Sequence, residues 1–258
     1  MNHTTVEKLF GLIGYPLSHS FSKGYFAKKF ENEGINNCFY DAFPLENIDL
    51  LPQLITTNPN LVGLNVTIPY KQAVIPFLDE LEDSAAAIGA VNTIKIQGGK
   101  LIGYNTDVYG FEQSLMPIIN NKFPISADSK QTLKSLVLGT GGAAKAVFYI
   151  LQKNNLHPTY VSRTKKDRQF TYTDLDKNII DNHQIIINTT PLGMSPNTET
   201  CPDLPYHFLN DNHVLYDLVY NPAVTLFLEK GEERGSTIKN GLDMLHLQAE
   251  KAWDIWQS

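Results

Sequence analysis

The sequence predicts an α/β fold with parallel sheets, arranged as one large or two modest domains. Strand-like and helix-like segments alternate along the whole chain, an order typical of α/β proteins. The length of 258 residues is enough to bury a substantial core. With 42% hydrophobic and 19% charged residues, the composition excludes a disordered or fibrous protein.

In the N-terminal part, short apolar runs alternate with helical patterns, and glycine or proline ends most of them. Gly34 follows a helical pattern as a left-handed cap would, and Pro69 interrupts an apolar run. Gly98 and Gly99 separate two strand-like runs, which predicts a β-hairpin. The predicted strands are 9–13, 38–43, 62–68, 91–96 and 100–104, and the predicted helices are 23–33, 49–57, 69–78 and 83–88.

The C-terminal part repeats this alternation. The predicted strands are 133–138, 159–162, 185–188, 214–219 and 237–239. A helix with apolar residues on one face is expected after Gly139. Polar and irregular residues over 121–134 predict a loop beside the domain junction. The final helix, 242–256, is amphipathic, a pattern that would suit packing against the N-terminal half.

Charge and cysteine content exclude several classes of protein. The chain has 27 acidic and 21 basic residues, a formal net charge of −6, whereas a nucleic-acid binder normally carries a basic surplus. No apolar run approaches the ~20 residues that span a bilayer, and the first residues do not resemble a signal peptide. Cys38 and Cys201 form no CxxC pair. We therefore expect a cytoplasmic protein without nucleic-acid or membrane partners.

A glycine-rich turn, Gly139-Thr-Gly-Gly-Ala-Ala-Lys-Ala146, follows an apolar strand and opens a helix. It matches the dinucleotide-binding pattern G-x-G-x-x-A. Gly139 would permit the tight turn, Gly141 would let the backbone approach a pyrophosphate, and Ala144 would keep helix and strand close. Free N–H groups at the helix start would then face the anion. The alternative is a tight strand–helix connection without a ligand.

The next strand ends in Ser162-Arg-Thr-Lys-Lys-Asp-Arg168, where four of seven residues are basic. NAD sites have an acidic residue at the end of this strand, and NADP sites have an arginine. Arginine can bind a phosphate in a fork and stack on adenine. The segment therefore favours NADP, with Arg163 on the 2′-phosphate, over the alternative of a solvated loop.

Further short motifs occur in order along the chain. They are Gly14-Tyr-Pro-Leu-Ser-His-Ser20, Asn65-Val-Thr-Ile-Pro-Tyr-Lys71, Gly89-Ala-Val-Asn-Thr93, Gly103-Tyr-Asn-Thr-Asp107, Asn188-Thr-Thr-Pro-Leu-Gly-Met194, Asp217-Leu-Val-Tyr-Asn-Pro222, and Asn240-Gly-Leu-Asp-Met-Leu245 with Gln248. Over nearly the whole chain these motifs resemble the shikimate dehydrogenase family, NADP-dependent 3-dehydroshikimate reductases of aromatic amino-acid biosynthesis. The resemblance implies an α/β substrate-binding catalytic domain over 1–108, completed by the helix 242–258, and a Rossmann-type NADP-binding domain over 109–241.

The resemblance also implies residue roles. Lys71 and Asp107 would be catalytic. Ser18 and Ser20 would bind the substrate carboxylate, with Tyr220 beside it, and Thr67 would help to fix the polyol. Asn92 and Gln248, with the catalytic pair, would hold the ring hydroxyls. The implied cofactor-binding residues are Gly139, Gly141, Gly142, Ala143, Ser162, Arg163, Thr164, Met194, Leu218 and Gly241.

Interconversion of an alcohol and a ketone moves a proton on oxygen while a hydride moves on carbon, so a positioned acid–base group is needed. A lysine suits this role if its surroundings lower its pKa, whereas a neighbouring carboxylate raises it. Lys71 and Asp107 are therefore expected to handle the proton as a pair. The alternatives are a surface charge for Lys71 and a helix cap for Asp107.

Two departures from the family pattern concern the substrate loops. Phe21 stands where the family commonly has proline after S-x-S, and Val108 stands where it commonly has glycine after the aspartate. No metal site is expected, because Asp243 and His246 supply only two ligands on a helix with apolar neighbours. A quinate dehydrogenase using NAD or NADP and a non-catalytic metabolite sensor are the alternative functions, and a monomer or homodimer is expected.

Overall fold

The computed structural model describes residues 7–17, 21–124 and 132–258. The chain divides into two compact units: unit 1 comprises residues 1–106 and 249–258, and unit 2 comprises residues 107–248. Each unit has its own six-stranded sheet with helices around it, which confirms the predicted α/β class. Within the described ranges, no helix is long and apolar enough to cross a membrane.

Unit 1 is built on a mixed sheet. Its strands are β1 (Lys8–Gly14), β2 (Cys38–Pro44), β3 (Leu61–Val66), β4 (Glu80–Leu81), β5 (Thr93–Gln97) and β6 (Lys100–Tyr104). Their order across the sheet is β2-β1-β3-β5-β6-β4. The pairs β1–β2, β1–β3 and β4–β6 are parallel, and β3–β5 and β5–β6 are antiparallel. The antiparallel pair β5–β6 is the β-hairpin predicted from the sequence, and its Gly98-Gly99 turn reverses the chain with φ of +60° and +81°.

Four helices follow strands or turns of unit 1. They are α1 (Phe21–Asn32), α2 (Leu51–Thr57), α3 (Tyr70–Ala73) and α4 (Asp83–Ile88). The helix predicted over 69–78 is wrong in its length, because α3 is a single turn followed by a 3-10 turn at Ile75–Phe77. Pro76 accounts for the break, since it has no N–H to donate and restricts the residue before it.

Unit 2 is built on a parallel sheet. Its strands are β7 (Ser135–Leu138), β8 (Pro158–Ser162), β9 (Phe170–Thr171), β10 (Ile185–Asn188), β11 (Val214–Asp217) and β12 (Thr237–Lys239). Their order is β12-β11-β10-β7-β8-β9, and every pair is parallel. The remaining helices are α5 (Thr106–Lys122), α6 (Gly142–Lys153), α7 (Lys177–Asp181), α8 (Leu226–Glu232) and α9 (Leu242–Gln257). Residues 121 and 122 end α5, so the predicted loop starts later than expected, and residues 125–131 of it lie outside the described ranges.

The end of α9 belongs to the core of unit 1, as its amphipathic pattern suggested. Ala249, Ala252 and Trp256 pack with Phe10 and Phe26 in one buried cluster. The Trp256 indole N–H donates to the carbonyl of Ile94 at 2.9 Å. The indole also lies against Gly63 of β3, where only a residue without Cβ leaves room for it.

We expect Gly63→Ala to destabilise unit 1 by about 1–3 kcal/mol, the usual cost of overpacking a core. An added Cβ would lie 2.3 Å from the Trp256 Nε1 atom. Both tryptophans, Trp253 and Trp256, lie in the part of α9 that belongs to unit 1, so tryptophan fluorescence during urea unfolding reports on this unit.

The matched control is Gly24→Ala in α1. A Cβ there meets no heavy atom within 4 Å, and alanine in a helix interior is more stable than glycine by roughly 0.5–1 kcal/mol. The two substitutions should therefore shift the urea midpoint in opposite directions. A Gly63→Ala midpoint equal to or above that of the wild type contradicts the packing argument.

Candidate active site

In unit 1, the segment 67–71 is held by backbone hydrogen bonds on both sides. The Thr67 N–H donates to the carbonyl of Ile13 (2.9 Å), and the Lys71 carbonyl accepts from the N–H of Val91 (2.7 Å). Between them, the buried Tyr70 donates its hydroxyl to the carbonyl of Leu45 (2.5 Å). The side chains of Thr67 and Lys71 are both partly exposed. The fold therefore fixes the backbone of these two predicted site residues while leaving their side chains accessible.

A buried network of polar side chains lies at the ends of β3 and β5. The Asn92 Oδ1 atom accepts from the backbone N–H of Thr106 at 2.7 Å, and its Nδ2 donates to the Thr106 hydroxyl at 3.0 Å. Asn65, in turn, accepts from the Tyr40 hydroxyl (2.7 Å) and donates to Thr93 (3.3 Å). Asn92 is only 3% exposed. The Asn92 amide thus fixes Thr106, the first residue of α5. The second hydrogen of its Nδ2 atom would serve the substrate, and this role stays a prediction.

Asp107 is the second residue of α5, the first residue of unit 2, and is partly buried. A carboxylate in the first turn of a helix interacts favourably with the helix dipole. Because Thr106 is already helical, Asp107 lies in the first turn of α5, whereas the helix-cap alternative would place it before the helix.

The other predicted substrate residues are placed as follows. Tyr220 follows β11 and is 40% exposed. Gln248 lies on α9, where its Nε2 donates to the carbonyl of Leu245 at 2.9 Å. Ser18 and Ser20 lie outside the described residues, as does His19 between them.

The glycine-rich turn of unit 2 has the geometry that a pyrophosphate site requires. Gly139 follows β7 directly and has a φ of +107°, and a Cβ there would lie 2.8 Å from the Thr189 hydroxyl. Gly141 and Gly142 begin α6, and a Cβ at either of them meets nothing within 4 Å. Ala144 is fully buried. The helix start is therefore open to an anion, whose charge its N–H groups would stabilise.

A cleft of about 630 Å³ opens beside this turn. That volume lies within the range of small-molecule and cofactor sites. The lining residues are Gly139, Thr140, Gly141, Ser162, Arg163, Tyr172, Thr189, Thr190, Pro191, Leu192, Cys201 and Asp203. Gly139, Gly141, Ser162 and Arg163 were among the predicted cofactor residues. These groups fit a dinucleotide phosphate, because the glycine-rich turn offers open helix N–H groups and the loop after β8 offers an arginine.

The remaining predicted cofactor residues do not line this cleft. Thr164 accepts a hydrogen bond from the Ser162 hydroxyl through its carbonyl (2.5 Å), so it shapes the loop after β8. Gly142 and Ala143 lie in the first turn of α6. Met194, Leu218 and Gly241 follow β10, β11 and β12. In the strand order these three strands lie on one side of β7, and β8, which precedes Arg163, lies on the other.

The basic residues of the segment after β8 differ in their surroundings. The Lys165 ammonium contacts Asp174 at 2.7 Å. The hydrogen bonds from Lys165 and from the backbone of Thr171 lower the pKa of Asp174 to about 2. Arg168 has a side chain that is 94% exposed. Among the described basic residues of this segment, Arg163 is the one that lines the cleft.

Sequence reasoning missed much of the cleft wall. Thr189, Thr190 and Leu192 belong to a motif already noted, and their position directly after β10 could have identified them. Tyr172 lies in the 3-10 turn after β9, whereas Cys201 and Asp203 lie in one loop before Tyr206, and no sequence pattern connects the two segments. Cys201, which has no CxxC partner in the sequence, is one of the residues that line the cleft. Within the described ranges no group of three or more His, Cys, Asp or Glu residues could hold a metal.

Comparisons with known proteins identify the family of this chain. The sequence model of the shikimate dehydrogenase substrate binding domain matches residues 12–94. The shikimate dehydrogenase (NADP(+)) of Methanococcus maripaludis strain C7 is 38% identical, over 98% of this chain and 92% of its own.

Two solved structures extend the likeness to three dimensions. The shikimate 5-dehydrogenase of Thermus thermophilus, in complex with NADP(H) and shikimate, is 28% identical with a TM-score of 0.80, covering 96% of this chain and 93% of its own. That of Listeria monocytogenes, in complex with shikimate and NAD, is 28% identical with a TM-score of 0.82, covering 97% and 92%. With sequence identity of 38% over nearly its full length, this chain belongs to the shikimate dehydrogenase family.

Proposed function

We propose that this protein catalyses the NADP-dependent, reversible reduction of 3-dehydroshikimate to shikimate. The observation that carries the proposal is the cleft of unit 2, which both the glycine-rich turn at the start of α6 and Arg163 line, as a site for a dinucleotide with a 2′-phosphate would require. Family membership supplies the substrate, because the relatives at 35–38% identity are named shikimate dehydrogenases (NADP(+)).

The bound cofactor supplies or accepts the hydride, and the protein must handle the proton. In the reductive direction, the carbonyl carbon of 3-dehydroshikimate gains a hydride and its oxygen gains a proton. We assign the proton to Lys71 and Asp107 acting together. Lys71 is carried by a rigid segment with a partly exposed side chain, which is what a group that must reach a substrate oxygen requires.

The substrate's polar groups have further proposed partners. Thr67 and Asn92 in unit 1, and Tyr220 and Gln248 in unit 2, would hold the hydroxyls and the carboxylate. Ser18 and Ser20 complete the proposed carboxylate site. The hydrogen bonds between Asn92 and Thr106 fix the plane of the Asn92 amide. The second N–H of that amide is therefore already oriented before the substrate binds. Such preorganisation lowers the entropy cost of substrate binding.

Two expectations about the cell and the assembly belong to the same proposal. Cys38 and Cys201 are both free thiols, which suits a reducing compartment such as the cytoplasm. We also propose that the protein is a monomer or a homodimer. Light scattering on the purified protein measures this assembly state directly.

The proposed reaction is tested by steady-state assays of nicotinamide absorbance at 340 nm with shikimate or quinate and with NADP+ or NAD+. We expect the highest kcat/KM for shikimate with NADP+, because Arg163 provides a charged partner for the 2′-phosphate. Turnover of quinate with NAD+ that equals or exceeds this value would make the protein a quinate dehydrogenase. Binding of NADP+ without turnover of either acid would make it a sensor.

Lys71→Ala should lower kcat by about 10²-fold or more, the usual contribution of an acid–base group. The affinity for NADP+, measured by titration calorimetry, should stay near the wild-type value. Lys100→Ala is the control: this exposed lysine of β6 pairs with Glu80 at 2.6 Å, in the same unit, and its loss should leave kcat unchanged. A near-normal kcat for Lys71→Ala would disprove its assignment.

Arg163→Ala should raise KM for NADPH by about tenfold or more and leave KM for NADH nearly unchanged. The reason is the loss of a charge-assisted hydrogen bond to the 2′-phosphate, worth roughly 1.5–3 kcal/mol. Arg168→Ala, in the same loop but not among the residues that line the cleft, should change neither value. Equal effects of Arg163→Ala on both cofactors would remove the argument for NADP selectivity.

A further inference from the structure

Asp217, the last residue of β11, is a fully buried carboxylate whose hydrogen-bond partners are neutral. Its Oδ1 atom accepts from the backbone N–H of Val219 (3.0 Å) and from the Asn188 amide (2.9 Å), and its Oδ2 accepts from the Thr225 hydroxyl (2.6 Å). Burial raises the pKa of Asp217 to about 6. A buried carboxylate with such partners is costly for stability, so its presence calls for another explanation.

The carboxylate joins two loops that follow neighbouring strands. Asn188 ends β10, and its Oδ1 accepts from both the backbone N–H and the hydroxyl of Thr190, at 3.0 and 2.6 Å. Thr190 lines the cofactor cleft. On the other side, the Val219 carbonyl accepts from the N–H of Gly241 at 3.2 Å. Hydrogen bonds thus run from the cleft wall through Asp217 to the loop after β12.

Other contacts tie the same loops together. The Ser195 N–H donates to the carbonyl of Asn221 at 3.0 Å. Gly241 lies so close to Leu218 that an added Cβ would meet its carbonyl oxygen at 2.2 Å. We call residues 188–196, 217–222 and 239–241 the loop platform. Met194, Leu218 and Gly241, which the family resemblance assigned to the cofactor, all belong to it.

The loop platform lies on one side of the strand that carries the glycine-rich turn, and Arg163 lies on the other. The sheet order places β10, β11 and β12 on one side of β7, and β8 and β9 on the opposite side. A dinucleotide crosses such a sheet at the carboxyl ends of the strands, with its pyrophosphate at the glycine-rich turn. With the 2′-phosphate at Arg163, the adenosine half lies over β8. The nicotinamide half then lies over the loop platform.

We propose that Asp217 is a positioning residue for the nicotinamide half of the cofactor: it fixes the loop platform and has no part in holding the adenosine 2′-phosphate half. The inference rests on the proposed function, since it takes NADP as the ligand of the cleft. Asp217 acts through Asn188, Val219 and Thr225, and it need not touch the cofactor itself.

The three hydrogen bonds identify suitable variants. In Asp217→Asn, the Oδ1 atom still accepts from Val219 and Asn188, and the new amide donates to the Thr225 hydroxyl, which can also accept. The platform should survive this change. In Asp217→Ala all three links are lost. Asn188→Ala removes the link between Asp217 and Thr190, together with a longer hydrogen bond from the Asn188 amide to the Leu192 carbonyl (3.4 Å), and leaves the carboxylate two donors.

Titration calorimetry with two ligands separates positioning from a general structural role. NADP+ contacts both halves of the site, whereas adenosine 2′,5′-bisphosphate contains only the half that Arg163 would bind. For Asp217→Ala we expect the Kd of NADP+ to rise about tenfold or more, with the Kd of the bisphosphate within about twofold of wild type. For Asp217→Asn we expect the Kd of each ligand to stay within about threefold of wild type. If the platform required the negative charge of Asp217, the Asn variant would lose affinity like the Ala variant.

Several outcomes would overturn the inference. An equal loss of affinity for both ligands in Asp217→Ala would show a merely structural residue, and no loss for either would show that the platform does not depend on Asp217. If Asp217→Ala does not fold, Asn188→Ala undergoes the same comparison with the same expected split. Wild-type protein that binds neither ligand would instead disprove the proposed function, and the inference with it.

Discussion

The groups proposed for the site in each unit depend on one constraint: parallel strands end together at one edge of a sheet. In unit 2, Gly139, Arg163, Thr189 and Leu218 each follow a parallel strand within one residue of its end. In unit 1, Thr67 follows β3 in the same way, next to the end of the parallel strand β1. In each sheet, residues that are distant in sequence are thereby brought together along the edge where the strands end. The loops that follow these strands can then form a site.

Charge is used locally in this protein. A net charge of −6 argues against a polyanion such as nucleic acid, yet the proposed ligands are themselves anions. The groups that we propose for the phosphates are Arg163 and the N–H groups at the start of α6. Asp174 already neutralises Lys165, so the loop after β8 presents less positive charge than its sequence indicates. Asp217 differs from Asp174, because it is buried and has no basic partner among its three hydrogen-bond donors, which are all neutral.

The sequence predicted most elements, because apolar runs ended by glycine or proline depend on local chemistry. The helix Asp83–Ile88, with Gly89 at φ +69°, and the strands Ile185–Asn188 and Thr237–Lys239 have the predicted bounds. The two-residue strands β4 and β9 were missed, because so short a segment has no periodicity. The site was only partly predictable. Motifs located Arg163 and Lys71, but Tyr172 and Asp203 enter the cleft through tertiary packing, and the burial of Asn92 depends on hydrogen bonds to a residue on another element.

Hydride transfer between NADPH and the carbon that bears the new hydroxyl of shikimate is the central step proposed for this protein. The most direct measurement uses NADPH carrying two deuterium atoms at the reactive carbon of the nicotinamide, with 3-dehydroshikimate as substrate and mass spectrometry of the product. We predict shikimate with a single deuterium, at the carbon that was the ketone. Unlabelled shikimate, or no consumption of NADPH while the protein binds both ligands, would contradict hydride transfer by this protein.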